Sequence, residues 1–174
     1  MKKPAVANSP STRPSRALVA GVSTEPEPAV SVRPVRRADL DHVIGIDATV
    51  TGLEKRKYWA SVFRRYGSGE RSEQQFLVAV AGGRVVGFII GEVRDWEFGS
   101  PPCGWVFAID VDPQARLGGV GSLLLQAISA QFQRAGVRKL RTMLAIDNTL
   151  ILSFFRSQGM MAGPLISLEM DLDA

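Results

Sequence analysis

Apolar and polar positions alternate along VSVRPV, residues 30–35, and a period of two reads as a first strand. The period then lengthens. Leu40, Val43, Ile44 and Asp47 follow Ala38-Asp39 at helical spacing, with Asp39 as the expected N-cap. Tyr58, Trp59, Val62, Phe63 and Tyr66 recur at three- and four-residue intervals before a glycine, which predicts a second helix with a basic outer face. In QFLVAVAGGRVVGFIIGEVRDWE, two β-rich runs flank Gly82-Gly83, a hairpin signal. CGWVFAIDVDP is a further apolar strand, ended by Pro113. A glycine-rich turn leads into a helix over 118–135, with Val120, Leu123, Leu124, Ala127 and Ile128 as its apolar residues and Gly136 just past its end. VRKLRTMLAI, residues 137–146, is the next strand. DNTLILSFFRSQGM is a helix capped by Asp147 or Asn148 and stopped at Gly159, and LISLEMDL, residues 165–172, closes the chain as a strand. Hairpins come early and a βαβ unit late. This order predicts an α/β (α+β) fold, a mixed central sheet with helices on both faces.

A length of 174 residues suits one domain with a real core. With 45% hydrophobic and 22% charged residues, the balance is that of a soluble globular protein. The single cysteine, Cys103, excludes an intramolecular disulfide and suits a reducing cytoplasm. His42 is the only histidine, so a His/Cys zinc site and a Ser–His–Asp triad lack material, and no metal is expected. No apolar run approaches the length of a membrane span. The N-terminal stretch offers only the apolar patch ALVAGV, a poor signal peptide, so a cytoplasmic protein without a membrane partner is expected.

The basic balance is local. Residues 1–37 carry seven Lys/Arg and two Asp/Glu, while the remainder carries fourteen and fifteen. The positive charge belongs to a Pro/Ser/Arg-rich stretch and the body is nearly neutral. Residues 1–29 are therefore expected to be a disordered tail ahead of one domain over 30–174, and no specific nucleic-acid partner is expected. Lys55, Arg56, Lys57, Arg64 and Arg65 on the second helix either recruit an acidic ligand or form a solvated face.

Candidate chemistry concentrates in ARLGGVGSLLL, residues 115–125, where three glycines precede a helix. A helix start offers unpaired N–H groups and a positive dipole end, and glycines let a phosphate approach them. Arg116 adds a full charge. A Walker P-loop requires Gly-Lys-Ser/Thr, and Gly121-Ser122 has no lysine. The dinucleotide fingerprint G-x-G-x-x-G is matched weakly, since Leu124 stands at the third glycine, although Asp147 stands where a ribose-binding acid would.

Arg116-Leu117-Gly118-Gly119-Val120-Gly121 also fits Q/R-x-x-G-x-G/A, the pyrophosphate-binding motif of the GNAT N-acetyltransferases. AIDVDPQARLGGVGSLLL resembles that family's strand 4, loop and helix 3. LRTMLAIDNTLILSFFRSQGM resembles its strand 5 and following helix, and VRPVRRADLDHVIGID its opening strand and helix. The resemblance covers residues 30–172 in order. It implies a GNAT fold with strands 4 and 5 splayed, acetyl-CoA as cosubstrate, and acetyl transfer to a primary amine of a small molecule or a protein. It further implies a bulge in strand 4 and pantetheine pairing with main-chain groups of Ile109, Asp110 and Val111. Pyrophosphate would be held by the turn from Arg116 through Leu117, Gly118, Gly119, Val120 and Gly121 to Ser122, and Asn148 would contact the cofactor arm.

The departures bear on catalysis. The family's tyrosine, its usual thiolate proton donor, falls on Phe155, which has no hydroxyl. The strand 4 stretch Trp105-Val106-Phe107-Ala108 lacks the glutamate many members carry there. Strand alternation puts Asp110 on the face opposite Phe107, an expected structural role. Glu92 is the nearest alternative base, or else a solvated or salt-bridged glutamate. An acyl-CoA-binding sensor or interaction protein of the same fold, with little turnover, is the alternative function. Trp96, Phe98 and Trp105 suggest an aromatic-lined acceptor approach, an aromatic core or a dimer contact. The short ending after Gly159 leaves a sheet edge that a partner copy would complete, so a homodimer is expected.

Overall fold

In the computed structural model, residues 29–69 and 71–172 are described, and the expectation of a disordered tail lies outside them. The chain forms β1 (Ser31–Pro34), α1 (Leu40–Thr51), α2 (Arg56–Tyr66), β2 (Gln74–Ala81), β3 (Arg84–Arg94), β4 (Cys103–Val111), α3 (Val120–Arg134), β5 (Leu140–Thr142) and α4 (Thr149–Ser157). The strands lie side by side in chain order. β1 to β4 are antiparallel and β5 runs parallel to β4, so the sheet is mixed.

Each face of the sheet carries its own core. Val43, Ile44 and Ile46 of α1 and Trp59, Val62 and Tyr66 of α2 bury against Phe76, Val78, Phe88 and Ile90. Val120, Leu124, Leu125, Ile128 and Phe132 of α3, with Phe155 of α4, bury against Leu77, Ala79, Ile89 and Val106. Alternate residues of β2 and β3 thus feed opposite layers. The buried face of α3 includes Leu125 and Phe132, while Leu123, expected inside, is 39% exposed. Asp39 does not cap α1 with its side chain. Its carboxylate instead accepts from Nη1 and Nη2 of Arg33 at 2.7 and 2.9 Å and from the Arg36 N–H at 2.6 Å.

Two expected strands are corrected. β5 spans three residues, not ten, because Met143 to Ala145 leave the sheet and line a cleft. Residues 165–172 form no strand, and Ile166, Leu168, Met170 and Leu172 are exposed. Their alternation is suited to a sheet, but a strand needs a neighbouring backbone to satisfy its N–H and C=O groups, and no strand among the described residues pairs with them.

β4 carries a bulge. Ile90 pairs with Ala108 and Gly91 with Val106, which leaves Phe107 outside the ladder. Gly91 is required there: a Cβ on it would lie 2.5 Å from the Trp105 carbonyl oxygen. The extra residue reverses the alternation beyond it. Phe107 meets Tyr66 of α2 with ring centroids 5.2 Å apart, Ala108 packs on the same layer, and Asp110 follows on that side.

Candidate active site

β4 and β5 pair only from Gly104–Leu140 to Val106–Thr142. Beyond them β5 ends and Met143 to Ala145 leave the sheet, and among the described residues the β5-facing edge of β4 from Phe107 to Val111 has no strand partner. The gap opens into a cavity of about 320 Å³. One wall is β4 from Val106 to Asp110, the second runs from Thr142 to Ala145 with Asn148, Ile151 and Phe155, and the third is Asp47, Lys55, Tyr58 and Trp59.

The glycine turn lies at the far end of β4. Leu117 and Gly119 adopt left-handed φ angles of 72° and 73°, and Arg116 to Gly119 are exposed. Gly119 is the N-cap of α3 and Val120 its first residue. Left-handed residues beside helical ones point successive N–H groups to one side, an anion-holding concavity. A Cβ on Gly119 would meet nothing within 4 Å, so its glycine serves the backbone angle and the open approach. Gly121 has a different reason: a Cβ there would lie 3.0 Å from the Phe154 ring, so it sets the closeness of α3 and α4.

Ile109 and Asp110 line the cavity together with Asn148 and Phe155, while Val111 and the turn from Arg116 to Ser122 follow them in the chain outside its lining. The Asn148 side chain accepts from the Ile151 N–H at 3.2 Å, so it caps α4 while lining the cavity. Phe155 is 4% exposed, lines the cavity and meets the Phe154 ring at a tilt, with centroids 5.1 Å apart.

Glu92 is not a cavity residue. Tyr66 donates to its Oε2 at 2.8 Å, and Arg94 donates to its Oε1 at 3.1 Å. The aromatics expected to line the approach separate: Trp96 and Phe98 project from the β3–β4 loop at 68% and 75% exposure, whereas Trp105 is buried, with the guanidiniums of Arg94 and Arg141 4.9 and 5.9 Å from its ring. The basic face of α2 is largely paired: Arg56 engages Asp41 and Glu54, and Arg65 lies 3.7 Å from Glu92.

Asp110 is the main correction from the structure. Alternation placed its side chain away from Phe107, but the bulge returns it to the α1/α2 side, where it lines the cavity. Burial, and next the charge of Asp47, push its carboxyl up to about 6, against opposing pulls from Arg116 and Lys55. Asp47 is itself buried, bonded to the Trp59 indole N–H at 2.8 Å and to the Lys55 ammonium at 2.9 Å. Sequence reasoning missed Asp47 and Tyr58 as cavity residues, and offered Lys55 only as one of several cations that recruit an acidic ligand or form a solvated face. The available signal was an acid, Asp47, on the apolar face of α1.

An open strand edge thus precedes an exposed glycine turn at the start of α3. The profile of the acetyltransferase (GNAT) family matches residues 46–160, and the chain belongs to that family. L-2,4-diaminobutyric acid acetyltransferase of Nocardia farcinica is 31% identical over 98 residues, 56% of this chain and 49% of that enzyme. Mycothiol acetyltransferase of Saccharomonospora viridis is 33% identical over 87 residues, 48% of this chain and 28% of that enzyme. The matches thus span half or less of these curated relatives. Among solved structures, the aminoglycoside N-acetyltransferase AAC(6')-Iy in complex with CoA superposes with a TM-score of 0.73 at 18% identity, covering 83% of this chain and 96% of that one. The shared architecture includes the mixed sheet and the parallel β4–β5 pair.

Proposed function

We propose that this protein transfers an acetyl group from acetyl-CoA to a primary amine, by direct attack of the amine on the thioester. The observation that carries the reading is the three-walled cavity at the open edge of β4, the strand that the exposed glycine turn follows in the chain. Family membership supports it. Main-chain groups of Ile109, Asp110 and Val111 pair with the pantetheine arm. N–H groups between Leu117 and Ser122, helped by Arg116, hold the pyrophosphate. Asn148 contacts the arm, and Phe155 packs against it. The amine enters from the α1/α2 side, past Lys55 and Tyr58. Orientation in such a cleft contributes several kcal/mol to rate, and N–H dipoles stabilise the oxyanion.

The relatives' names point to different acceptors, so the acceptor class remains a primary amine, on a small molecule or a protein. One observation favours a second reading, an acyl-CoA-binding sensor: Phe155 puts a ring without a proton donor in the cavity wall. Thiol release with L-2,4-diaminobutyrate, neamine and a lysine-containing peptide, beside calorimetry with acetyl-CoA, separates the two. Binding with release supports transfer, binding without release supports the sensor, and absence of binding overturns both.

The domain in this reading spans residues 30–174, preceded by the tail over 1–29, and works in the cytoplasm. Among the described residues no helix is long and apolar enough to cross a membrane. A homodimer is part of the reading, supported by exposed apolar residues at alternate positions from Ile166 to Leu172. Light scattering in solution tests it.

A further inference from the structure

We infer that the Asp110 carboxylate takes a proton from the acceptor ammonium, and so serves as the general base of the acetyl transfer proposed above. The inference rests on that transfer reading. The bulge at Phe107 is its structural source, since without the extra residue Asp110 would face the α3 layer. Instead its side chain enters the cavity on the side from which an amine arrives, while its main chain stays on the edge that faces the cleft. The carboxylate is free of the partners that occupy the other acids nearby. Asp47 is held by Trp59 and Lys55, and Glu92 by Tyr66 and Arg94. Asp110 has neither a side-chain hydrogen bond nor an ion pair to any other described residue.

The charged and titratable groups that face it come from every surrounding element. They are Asp47 on α1, Lys55 in the α1–α2 connection, Tyr58 on α2 and Arg116 in the glycine turn. On β3 its pairing partner is Phe88, which brings no charge. Burial and Asp47 raise its proton affinity above that of an ordinary carboxylate, toward the range where a base works near neutral pH. Lys55, held by Asp47, keeps part of the pocket positive and limits that rise.

The acceptor enters as an ammonium, and Asp110 accepts one of its protons. The neutral amine attacks the thioester carbonyl carbon, the N–C bond forms and the C–S bond breaks. The second proton of the nitrogen passes through solvent to the coenzyme A sulfur, and Asp110 returns the first to bulk water. Acetylated amine, free thiol and one released proton result.

The test uses the full chain and its Asp110→Asn and Asp110→Glu variants, with L-2,4-diaminobutyrate, neamine and a lysine-containing peptide as acceptors. Thiol release is followed from pH 5 to 9 at saturating acetyl-CoA. The wild type is expected to lose kcat/KM as pH falls through about 6, the range to which burial raises Asp110. Asp110→Asn is expected to lose roughly 10²- to 10⁴-fold in kcat/KM and to lack that acid limb. It is expected to bind acetyl-CoA within about threefold of wild type by calorimetry, because the arm pairs with the unchanged main chain. Asp110→Glu should recover part of the rate together with the limb. An Asp110→Asn enzyme that keeps both rate and acid limb overturns the inference while leaving the transfer reading intact. A wild type that binds acetyl-CoA but acetylates none of the acceptors overturns both.

Discussion

The Tyr66 hydroxyl donates a 2.8 Å hydrogen bond to Glu92, tying the end of α2 to β3. Arg94 occupies the other carboxylate oxygen at 3.1 Å, so both oxygens are engaged within the protein. A base must reach the proton it removes, and Glu92 sits outside the cavity lining. Glu92→Gln is expected to lower kcat/KM less than tenfold and to keep the acid limb of the pH profile. A loss of about a hundredfold with disappearance of that limb would instead make Glu92 the base. Tyr66→Phe is expected to cost about 1 kcal/mol in urea unfolding. Burial, then the bond to Glu92, pushes the Tyr66 hydroxyl up to about 12. Between pH 10 and 12 the unfolded chain loses this proton and the folded chain keeps it, so wild-type stability falls with rising pH there. Tyr66→Phe should lack that component.

Much of this arrangement is legible in the residues. Periods of two and of three to four locate β1 to β4 and the four α-helices, and Arg116 to Gly121 mark the turn. The bulge is harder. Counting by twos has no place for an extra residue, so it assigned Asp110 to the wrong face. Gly91, in the middle of an otherwise β-rich run, is the trace the bulge leaves in the sequence, because the Trp105 carbonyl excludes a Cβ there. The partnership of Asp39 with Arg33 was also hidden, since an acid before an apolar helix reads as a cap whichever donor it meets. Residues 165–172 illustrate the opposite limit. Alternation describes what a strand would bury, while pairing depends on a neighbour that the pattern does not name.

The glycine turn separates two kinds of substitution. Gly119→Val meets open space but must hold a φ of 73°, which costs roughly 1–2 kcal/mol of stability and fills the approach to the N–H groups. Gly121→Val drives its side chain into the Phe154 ring, so it should lose more thermal stability by forcing α3 from α4. Both are expected to block acetyl-CoA binding. Arg116→Ala should weaken binding and flatten its dependence on salt, since one charge–phosphate attraction is gone. Calorimetry at two ionic strengths checks all three. Normal affinity in Gly119→Val and Gly121→Val would remove the turn from the cofactor site.

Phe155 joins the α3/α4 core to the cavity. Phe155→Leu keeps the site apolar but shortens the wall, and should cost about 1 kcal/mol of stability and a few-fold in acetyl-CoA affinity. The pH dependence of turnover should stay as in wild type, because the ring carries no proton. Phe155→Tyr should be tolerated, and turnover rises if the coenzyme A sulfur lies within reach of the new hydroxyl. Unfolding curves and single-substrate titrations measure these effects. Unchanged binding and turnover in Phe155→Leu would place the side chain away from the cofactor.

The Asp110 carboxylate also leaves a mark on stability that needs no substrate. Its ordinary value is 3.8, and burial with the nearby Asp47 charge raises it to about 6 in the folded chain. Between these values the folded chain holds a proton that the unfolded chain has released. The stabilisation this confers is fully present below pH 3.8 and is lost as pH rises through about 6. Above that, the wild type folds with a charge in a cavity that disfavours it. Asp110→Asn removes the charge at nearly constant volume. Its melting temperature should exceed that of the wild type at pH 7.5, and the difference should shrink steadily as pH falls to 4. Thermal unfolding at four pH values is enough to trace this. A difference that stays constant across the range would mean that the folded carboxyl titrates like an exposed one, and that Asp110 points to solvent instead of into the cavity.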